Sequence, residues 1–551
     1  MNFIRVILSI FLILFTVLSE IRFIQAQSVS ITKDAEWFEF RQRNSKDSFS
    51  YVIAPVSDDS LEWYRTRPVM MMKNTGKWRV GIFSPEIRLQ YNSAVPFSWN
   101  DGPMIPNKGL QSLSTTGLFV KRGIFSMQLR PEWVYAQGQS FMGFPASYSD
   151  TLWASRYFWF NEIDQPDRWP ANYQAFFPGQ SSIKLQYKAV AAGVSSENLW
   201  WGPGRHNSLL MTNNAPGFPH LFVRTERPIK SRIGRFEFQF IMGQLQGSGQ
   251  LPPDTNRRFQ GNRLYVAKPL DSRRYLNGVV FVYQPSFIKG LSIGLGRVIY
   301  LYTADRQNNF DGFFPIFGFL FKNQTNSEDE KNRDQKLSLY VKQSFFQGNT
   351  EFYVEYGRND HAWNFRDLAQ NFGNSRGYVL GFNQYAQLKR RRLLFNMELA
   401  DVTRQAQGFL RPTPNWYMHY QVKHGYTHIG QVIGAGMGPG SRMQSMQFDF
   451  FKNASDYYGL GLYRIERNAD FFLDAFSPFG QQYYRKWVDV ALGGKWSHSF
   501  KHFNILANAY VVRSFNYQYQ DNSNSRFTAL KDGIDVLNFS TNLSIQYKLG
   551  Q

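Results

Sequence analysis

A period of two constrains this chain more than any other feature. Near the C-terminus, Phe539, Thr541, Leu543, Ile545, Tyr547 and Leu549 fall on one face, and Ser540, Asn542, Ser544, Gln546 and Lys548 on the other. An extended strand sends alternate side chains to opposite sides; a helix does not. The alternation returns at 87–91, 125–129, 183–187, 236–240, 352–356 and 446–450, so it is spread across the chain. The polar faces carry charges of both signs. Two all-β architectures share this pattern: a sandwich with its apolar faces inward, and a transmembrane barrel with its apolar face toward lipid.

Alternation alone does not separate the two. Three features favour the barrel. The segments span the whole chain, aromatic residues cluster at segment ends, and no module repeat or Pro/Ser-rich linker divides the sequence into sandwich-sized units. Past residue 27 no apolar run reaches the length of a spanning helix. Yet aromatics make up 17% of 551 residues, as expected where rings form girdles at two lipid interfaces. At about 9–11 residues per strand, the chain suffices for roughly 16–18 strands. The expected fold is therefore all-β: a transmembrane antiparallel β-barrel.

Residues 1–26 read as a secretory signal peptide, with Arg5 ahead of an apolar run at 6–18 and a cleavage point near Ala26. Residues 27–72 alternate poorly and are expected to form an N-terminal periplasmic segment. Residues 73–551 are expected to form the barrel. Within it, 151–163 breaks the alternation and predicts a short helix at one mouth, stopped at Asp164-Gln165-Pro166 because proline cannot donate the next helical bond. The stretch 322–336, KNQTNSEDEKNRDQK, reads as a solvated loop; its Glu328, Asp329 and Glu330 do not have calcium-loop spacing. Formal net charge is +21, and +20 once Arg5, Glu20 and Arg22 leave with the leader. Such an excess implies polyanionic company: an acidic polysaccharide or phosphorylated lipid headgroups, with nucleic acid disfavoured by export.

Little in the sequence points to catalysis. Cysteine is absent. His424 and His428 are four apart, but their glycine-rich surroundings predict a strand and turn rather than a zinc-binding helix. His498 and His502 read as a strand end and hairpin. No G-x-S-x-G elbow occurs. RHNS at 205–208 sets His, Asn and Ser side by side, but triads are assembled in space, not from neighbours. Arg358-Asn359-Asp360 offers one carboxylate. The expectation is no enzyme, no metal and no cofactor.

The densest candidate is 197–220, ENLWWGPGRHNSLLMTNNAPGFPH. Gly202, Pro203 and Gly204 predict a sharp turn. If the chain is extended there, Trp200 and Trp201 point to opposite sides, one toward interfacial lipid and one toward the lumen or a loop. Arg205, Asn207, Ser208, Asn213 and Asn214 suit hydroxyls and carboxylates. Aromatic faces beside planar polar groups fit a sugar, which has apolar C–H faces and polar edges. The competing reading is a girdle tryptophan and a rigid turn without a ligand.

This stretch resembles the signature region of the Wzi family of capsule-assembly outer-membrane proteins. NDGPMIPNKGL at 100–110, LRPEWVYAQ at 129–137, YVEYGRND at 353–360 and GYTHIGQVIGAGMGPGS at 425–441 support the resemblance. It implies an 18-stranded barrel with a small helical portion toward the periplasm. It also implies a non-enzymatic, lectin-like role, attaching exported capsular polysaccharide to the cell surface. Polysaccharide is then the expected ligand of Trp200, Trp201, Arg205, Asn207, Asn213 and Asn214, and outer-membrane lipid and lipopolysaccharide the surroundings. One departure is the C-terminus, Leu549-Gly550-Gln551, where many barrels end in an aromatic residue. The alternative function is an outer-membrane channel for anionic solutes or glycans.

Overall fold

In a computed structural model, the described residues are 70–549 apart from 76, 321–331, 346, 348, 360–364, 390, 405–414, 454, 477–484 and 521–533. The pairs 24–25 and 53–54 are also described. The expected signal peptide and most of 27–72 lie outside them, as do Glu328, Asp329, Glu330 and Asp360.

The alternating segments form one antiparallel sheet with eighteen wall positions. The first six are β1 (Trp78–Asn92), β2 (Gly109–Arg122), β3 (Phe125–Leu129 and Glu132–Gln137), β4 (Asn172–Phe177 and Ser182–Tyr187), β5 (Val190–Ser195) and β6 (His220–Thr225). Next come β7 (Gly234–Leu245), β8 (Arg274–Pro285), β9 (Leu291–Tyr302), β10 (Arg333–Phe345), β11 (Thr350–Arg358) and β12 (Arg376–Leu388). The last six are β13 (Arg391–Asp401), β14 (Arg442–Phe451), β15 (Tyr457–Glu466), β16 (Val488–Ser499), β17 (Phe503–Phe515) and β18 (Val536–Tyr547). Each strand pairs with its sequence neighbours, and β18 pairs with β1 from Ser540↔Asn92 to Gln546↔Glu86. The sheet therefore closes, which removes the edges that lipid could not satisfy. Where β18 ends, a strand at Met70–Thr75 takes its place beside the first half of β1.

β3 and β4 are each broken once, at Arg130-Pro131 and Pro178-Gly179. Proline has no N–H to give the ladder. Gly179 adopts φ +61°, and a Cβ there would stand 2.5 Å from the Arg130 carbonyl oxygen.

The faces sort opposite to those of a soluble sandwich. Ile183, Leu221, Leu339, Phe352, Val354, Phe448 and Leu492 point outward and are exposed. Their alternates Lys184, Ser338, Glu355, Gln447 and Asp449 are buried inside. An apolar outer wall around a polar interior is the pattern of a barrel solvated by lipid.

The mouths differ. Eight connections at one end span two to eight residues; nine at the other span 16 to 40. Helix α1 (Asp150–Phe160) sits at the long-loop mouth, capped by Ser149, whose hydroxyl accepts the Leu152 N–H. It stops at Phe160, short of the expected Ile163, and a 3₁₀ turn follows at Pro166–Arg168. Arg168 ends the α-helix early by donating to the carbonyls of Phe160 (2.6 Å) and Asn161 (3.1 Å). Helix α2 (Ala469–Phe476) packs on α1, with Phe160 against Phe471 (ring centroids 5.1 Å) and the Trp159 indole N–H donating to Asp474 (3.0 Å).

One expected loop is shorter than read. Residues 333–336 belong to β10, not to the solvated stretch, and Arg333, Asp334, Gln335 and Lys336 are all buried. Lys336 donates to Asp334 (2.9 Å) and to Asn359. Charge density alone did not separate lumen-facing ionic residues from a hydrated loop.

Candidate functional site

Two long loops fold back into the barrel and fill it. Residues 196–219 join β5 to β6, and 415–441 lead into β14. Their apolar seam joins Leu209, Leu210 and Met211 to Trp416, Tyr417, Tyr426, Val432 and Ile433, all buried. The Tyr417 and Tyr426 hydroxyls donate to the carbonyls of Leu209 (3.0 Å) and Leu210 (2.9 Å). Thr212 donates through its N–H to Ile433 O (2.9 Å) and through its hydroxyl to Gly434 O (2.6 Å).

Two wall carboxylates hold the first loop. Glu398, on β13, accepts the backbone N–H groups of Arg205 (2.6 Å), His206 (3.2 Å) and Asn207 (2.9 Å), and the Tyr353 hydroxyl (2.7 Å). Three successive amides around one carboxylate form an anion nest occupied by the protein's own side chain. Glu355, on β11, accepts the Leu209 N–H (3.2 Å) and the Ser338 hydroxyl (2.6 Å). These bonds satisfy loop backbone that would otherwise be buried unpaired. Arg274 on β8 donates to the carbonyls of His424 (3.1 Å) and Gly425 (2.9 Å), anchoring the second loop.

The Gly-Pro-Gly turn makes this docking possible. Gly202 has φ +154°, and a Cβ there would meet Ser208 Oγ at 2.3 Å and Glu355 Oε2 at 2.8 Å. At Gly204 it would meet the Asn207 carbonyl oxygen at 1.9 Å. Pro203 lies buried between them.

The tryptophans depart from expectation. Neither meets lipid: Trp200 is 9% exposed and Trp201 1%. Trp201 lies in the core, its indole N–H donating to Gln239 on β7 (3.0 Å), and a Cβ on Gly278 would stand 2.9 Å from its ring. The Trp200 indole N–H closes the turn onto Gly204 O (3.1 Å). The loop folds into the barrel rather than along the wall, so both rings find protein.

The other named residues divide between latch and cavity. Asn207 is fully buried; its side chain reaches Glu398 (3.3 Å). Asn214 accepts from Asn100 N–H (3.2 Å) and donates to Val432 O (2.9 Å). Trp200, Arg205 and Asn213 line a polar cavity between the plug and the wall. Arg205 donates from Nε to Asn383 Oδ1 (3.0 Å) and from Nη2 to Tyr385 OH (3.0 Å). Trp99, Tyr463, Arg88, Arg130, Lys495, Glu86 and Asp101 add to the cavity's aromatic and charged lining. Trp99 sits edge-on to Tyr463 (5.4 Å) and beside His206 (5.2 Å). The sequence reading missed Trp99, although it lies directly before the quoted 100–110 motif.

The histidines are structural. His424 Nδ1 is 2.8 Å from the Tyr302 hydroxyl, and burial pushes its imidazole down to about 3. His428 accepts the Gln246 N–H (3.1 Å) and pairs in a two-residue hairpin with Gln431. Burial lowers it to about 3 as well. Among the described residues no three His, Asp or Glu side chains converge as a metal site.

Eighteen closed strands, apolar outside and polar inside, with loops latched into the lumen, define a plugged transmembrane barrel of the outer-membrane type. Residues 109–482 match the family model of capsule assembly protein Wzi, more than half of the chain. The chain belongs to that family. Among solved structures it is similar to Wzi of Escherichia coli, described as a carbohydrate-binding β-barrel involved in group 1 capsule assembly. That match has 12% identity, covers 95% of this chain and 99% of the other, and has a TM-score of 0.58. It is similar at lower TM-scores to OccK8 (OprE) of Pseudomonas aeruginosa (9% identity, 84% and 97% covered, 0.34). A BenF-like porin of Pseudomonas fluorescens Pf-5 gives 9% identity, 85% and 98% covered, and 0.37. Curated proteins return no match.

Proposed function

We propose that this chain attaches exported capsular polysaccharide to the cell surface, binding saccharide without transforming it. Family membership supports capsule assembly as its setting. The observation that carries binding over passage is the filled lumen: Glu355 and Glu398 tie 205–209 across the space a channel would need open. The saccharide contact is assigned to the cavity beside Trp200. Trp99 and Trp200 supply aromatic surface, and Arg205 and Asn213 supply donors. Arg88, Arg130, Arg205 and Lys495 outnumber Glu86 and Asp101 in its lining, which favours an acidic sugar. On this reading Trp201, Asn207 and Asn214 hold the plug and do not touch the ligand. The leader is cleaved near Ala26, and lipopolysaccharide surrounds the outer mouth.

Purified protein on an array of acidic and neutral glycans tests the assignment. Trp200→Ala and Arg205→Gln are expected to weaken binding at least tenfold while the barrel keeps its heat-modifiable gel mobility. Unchanged binding by both variants would move the saccharide elsewhere. In cells lacking the protein, polymer should be made but shed; undiminished attachment would reject the role itself.

A further inference from the structure

Sorted by mouth, the connecting charges separate. The nine long loops hold 21 Lys or Arg against 20 Asp or Glu, whereas the eight short turns hold nine against two. Both short-turn carboxylates are engaged: Glu226 by Arg224 (2.8 Å) and Lys184 (2.7 Å), Asp456 by His498 (2.6 Å). Lys188, Arg227, Arg232, Lys289, Lys389, Lys452 and Lys501 stand exposed around the rim.

Large apolar side chains are exposed beside them: Tyr187, Ile233, Phe287, Leu388 and Phe500. Three rim cations lie over outward-facing rings. Arg122 covers Trp78 (4.8 Å), Lys188 covers Tyr187 (5.3 Å), and Arg391 covers Tyr458 (5.5 Å) while donating to its hydroxyl (2.5 Å). These rings end the apolar wall, at the level where interfacial aromatics meet headgroups. A cation held on such a ring keeps its stem in the apolar zone and its charge at the phosphate level. An acidic protein would match the charge but not the apolar side chains continuous with the lipid-facing wall. Both the strand at Met70–Thr75 and the end of β18 lie at this mouth, and in outer-membrane barrels short turns face inward.

We propose that the short-turn rim is a seat for anionic phospholipid headgroups of the inner leaflet, made from turn and strand-end cations beside a girdle of interfacial rings. Basic clusters at a membrane surface select anionic lipid, and salt screens the attraction. The full-length mature protein, reconstituted in phosphatidylcholine, can be probed with spin-labelled phosphatidylglycerol and spin-labelled phosphatidylcholine. The motionally restricted fraction gives the relative association constant. Phosphatidylglycerol is expected to be preferred by on the order of fivefold at low salt, falling toward parity near about 1 M salt. The combined variant Lys188→Gln, Arg232→Gln, Lys289→Gln, Lys389→Gln and Lys501→Gln should lose most of the preference. Arg273→Gln, at the other mouth, should keep it. Equal association of the two lipids at low salt overturns the proposal, as does a preference that survives the combined variant or falls equally with Arg273→Gln. If the combined variant does not fold, the salt dependence of the unaltered protein still decides.

Discussion

The two mouths of this barrel are built on different principles. At the long-loop mouth the chain folds inward and pairs several of its charges. Arg404 meets Asp474 (2.6 Å), Arg467 meets Asp489 (2.8 Å), and Lys268 meets Asp164 (3.4 Å). At the short-turn mouth the turns themselves are too short to fold inward, and cations stand outward over rings. Loop length decides which principle applies. Among the described residues, connections of 16 residues or more at that mouth reach the lumen and present their backbone to wall carboxylates. Wall carboxylates of the polar barrel interior, Glu355 and Glu398, are met here by loop amides.

The strongest way to break the contrast is to cut the latch. Glu398→Ala leaves the Arg205, His206 and Asn207 amides without their acceptor, at about 1–3 kcal/mol for each buried group. Combined with Glu355→Ala, it should release 205–209. Planar bilayers should then show conductance that the unaltered barrel lacks; a silent double variant would mean that the seam holds the plug alone. Next in size, Trp201→Ala empties a core position at about 3–5 kcal/mol, lowering stability to denaturant. Trp200→Ala should cost less stability and more saccharide binding, and the reverse order would exchange the two roles.

Titration sharpens the comparison further, because several buried groups with raised or lowered values lie at the long-loop mouth. Burial pushes the Glu162 carboxyl up to about 8, although it accepts the His419 N–H (2.7 Å). Its folded value lies above its unfolded value of 4.5, so its contribution is fully present below 4.5 and is lost as pH rises through about 8. His424 and His428 act oppositely: lowered from 6.5 to about 3, they favour the folded loop above 6.5 and oppose it as pH falls toward 3. Stability should therefore decline on both sides of near-neutral pH by an amount on the order of a few kcal/mol. Glu162→Gln should lessen the decline as pH rises, as calorimetry across pH 5 to 9 would show. The smallest effect belongs to the other mouth: Lys289→Gln or Lys452→Gln should change stability by less than about 0.5 kcal/mol, because each is exposed.

The wall was legible because its signal is local. Ile183 and Lys184, or Phe448 and Asp449, declare opposite faces within two residues, and lipid outside with polar groups inside follows once the sheet closes. Nothing as local marks the plug. Glu398 reads like any polar alternate on a strand, and the partner that gives it meaning, Asn207, is 191 residues away. Trp200 and Trp201 were identified as a pair worth attention. Their split, one lining a cavity and one packed in the core, depends on the inward path of 196–219. Arg333 to Lys336 were misread for a related reason: charged residues in a row look solvated until neighbouring strands and a loop enclose them.

By itself, then, the amino-acid order marked strands with one apolar and one polar face, since side-chain periodicity is a property of a few consecutive residues, and its motifs carried the resemblance to capsule-assembly barrels. Tertiary structure alone decided that the lumen is filled, which residues latch the filling, and which aromatic surface is left for a ligand. Those outcomes depend on distant amides and carboxylates meeting within about 3 Å, and no short stretch of chain carries that information.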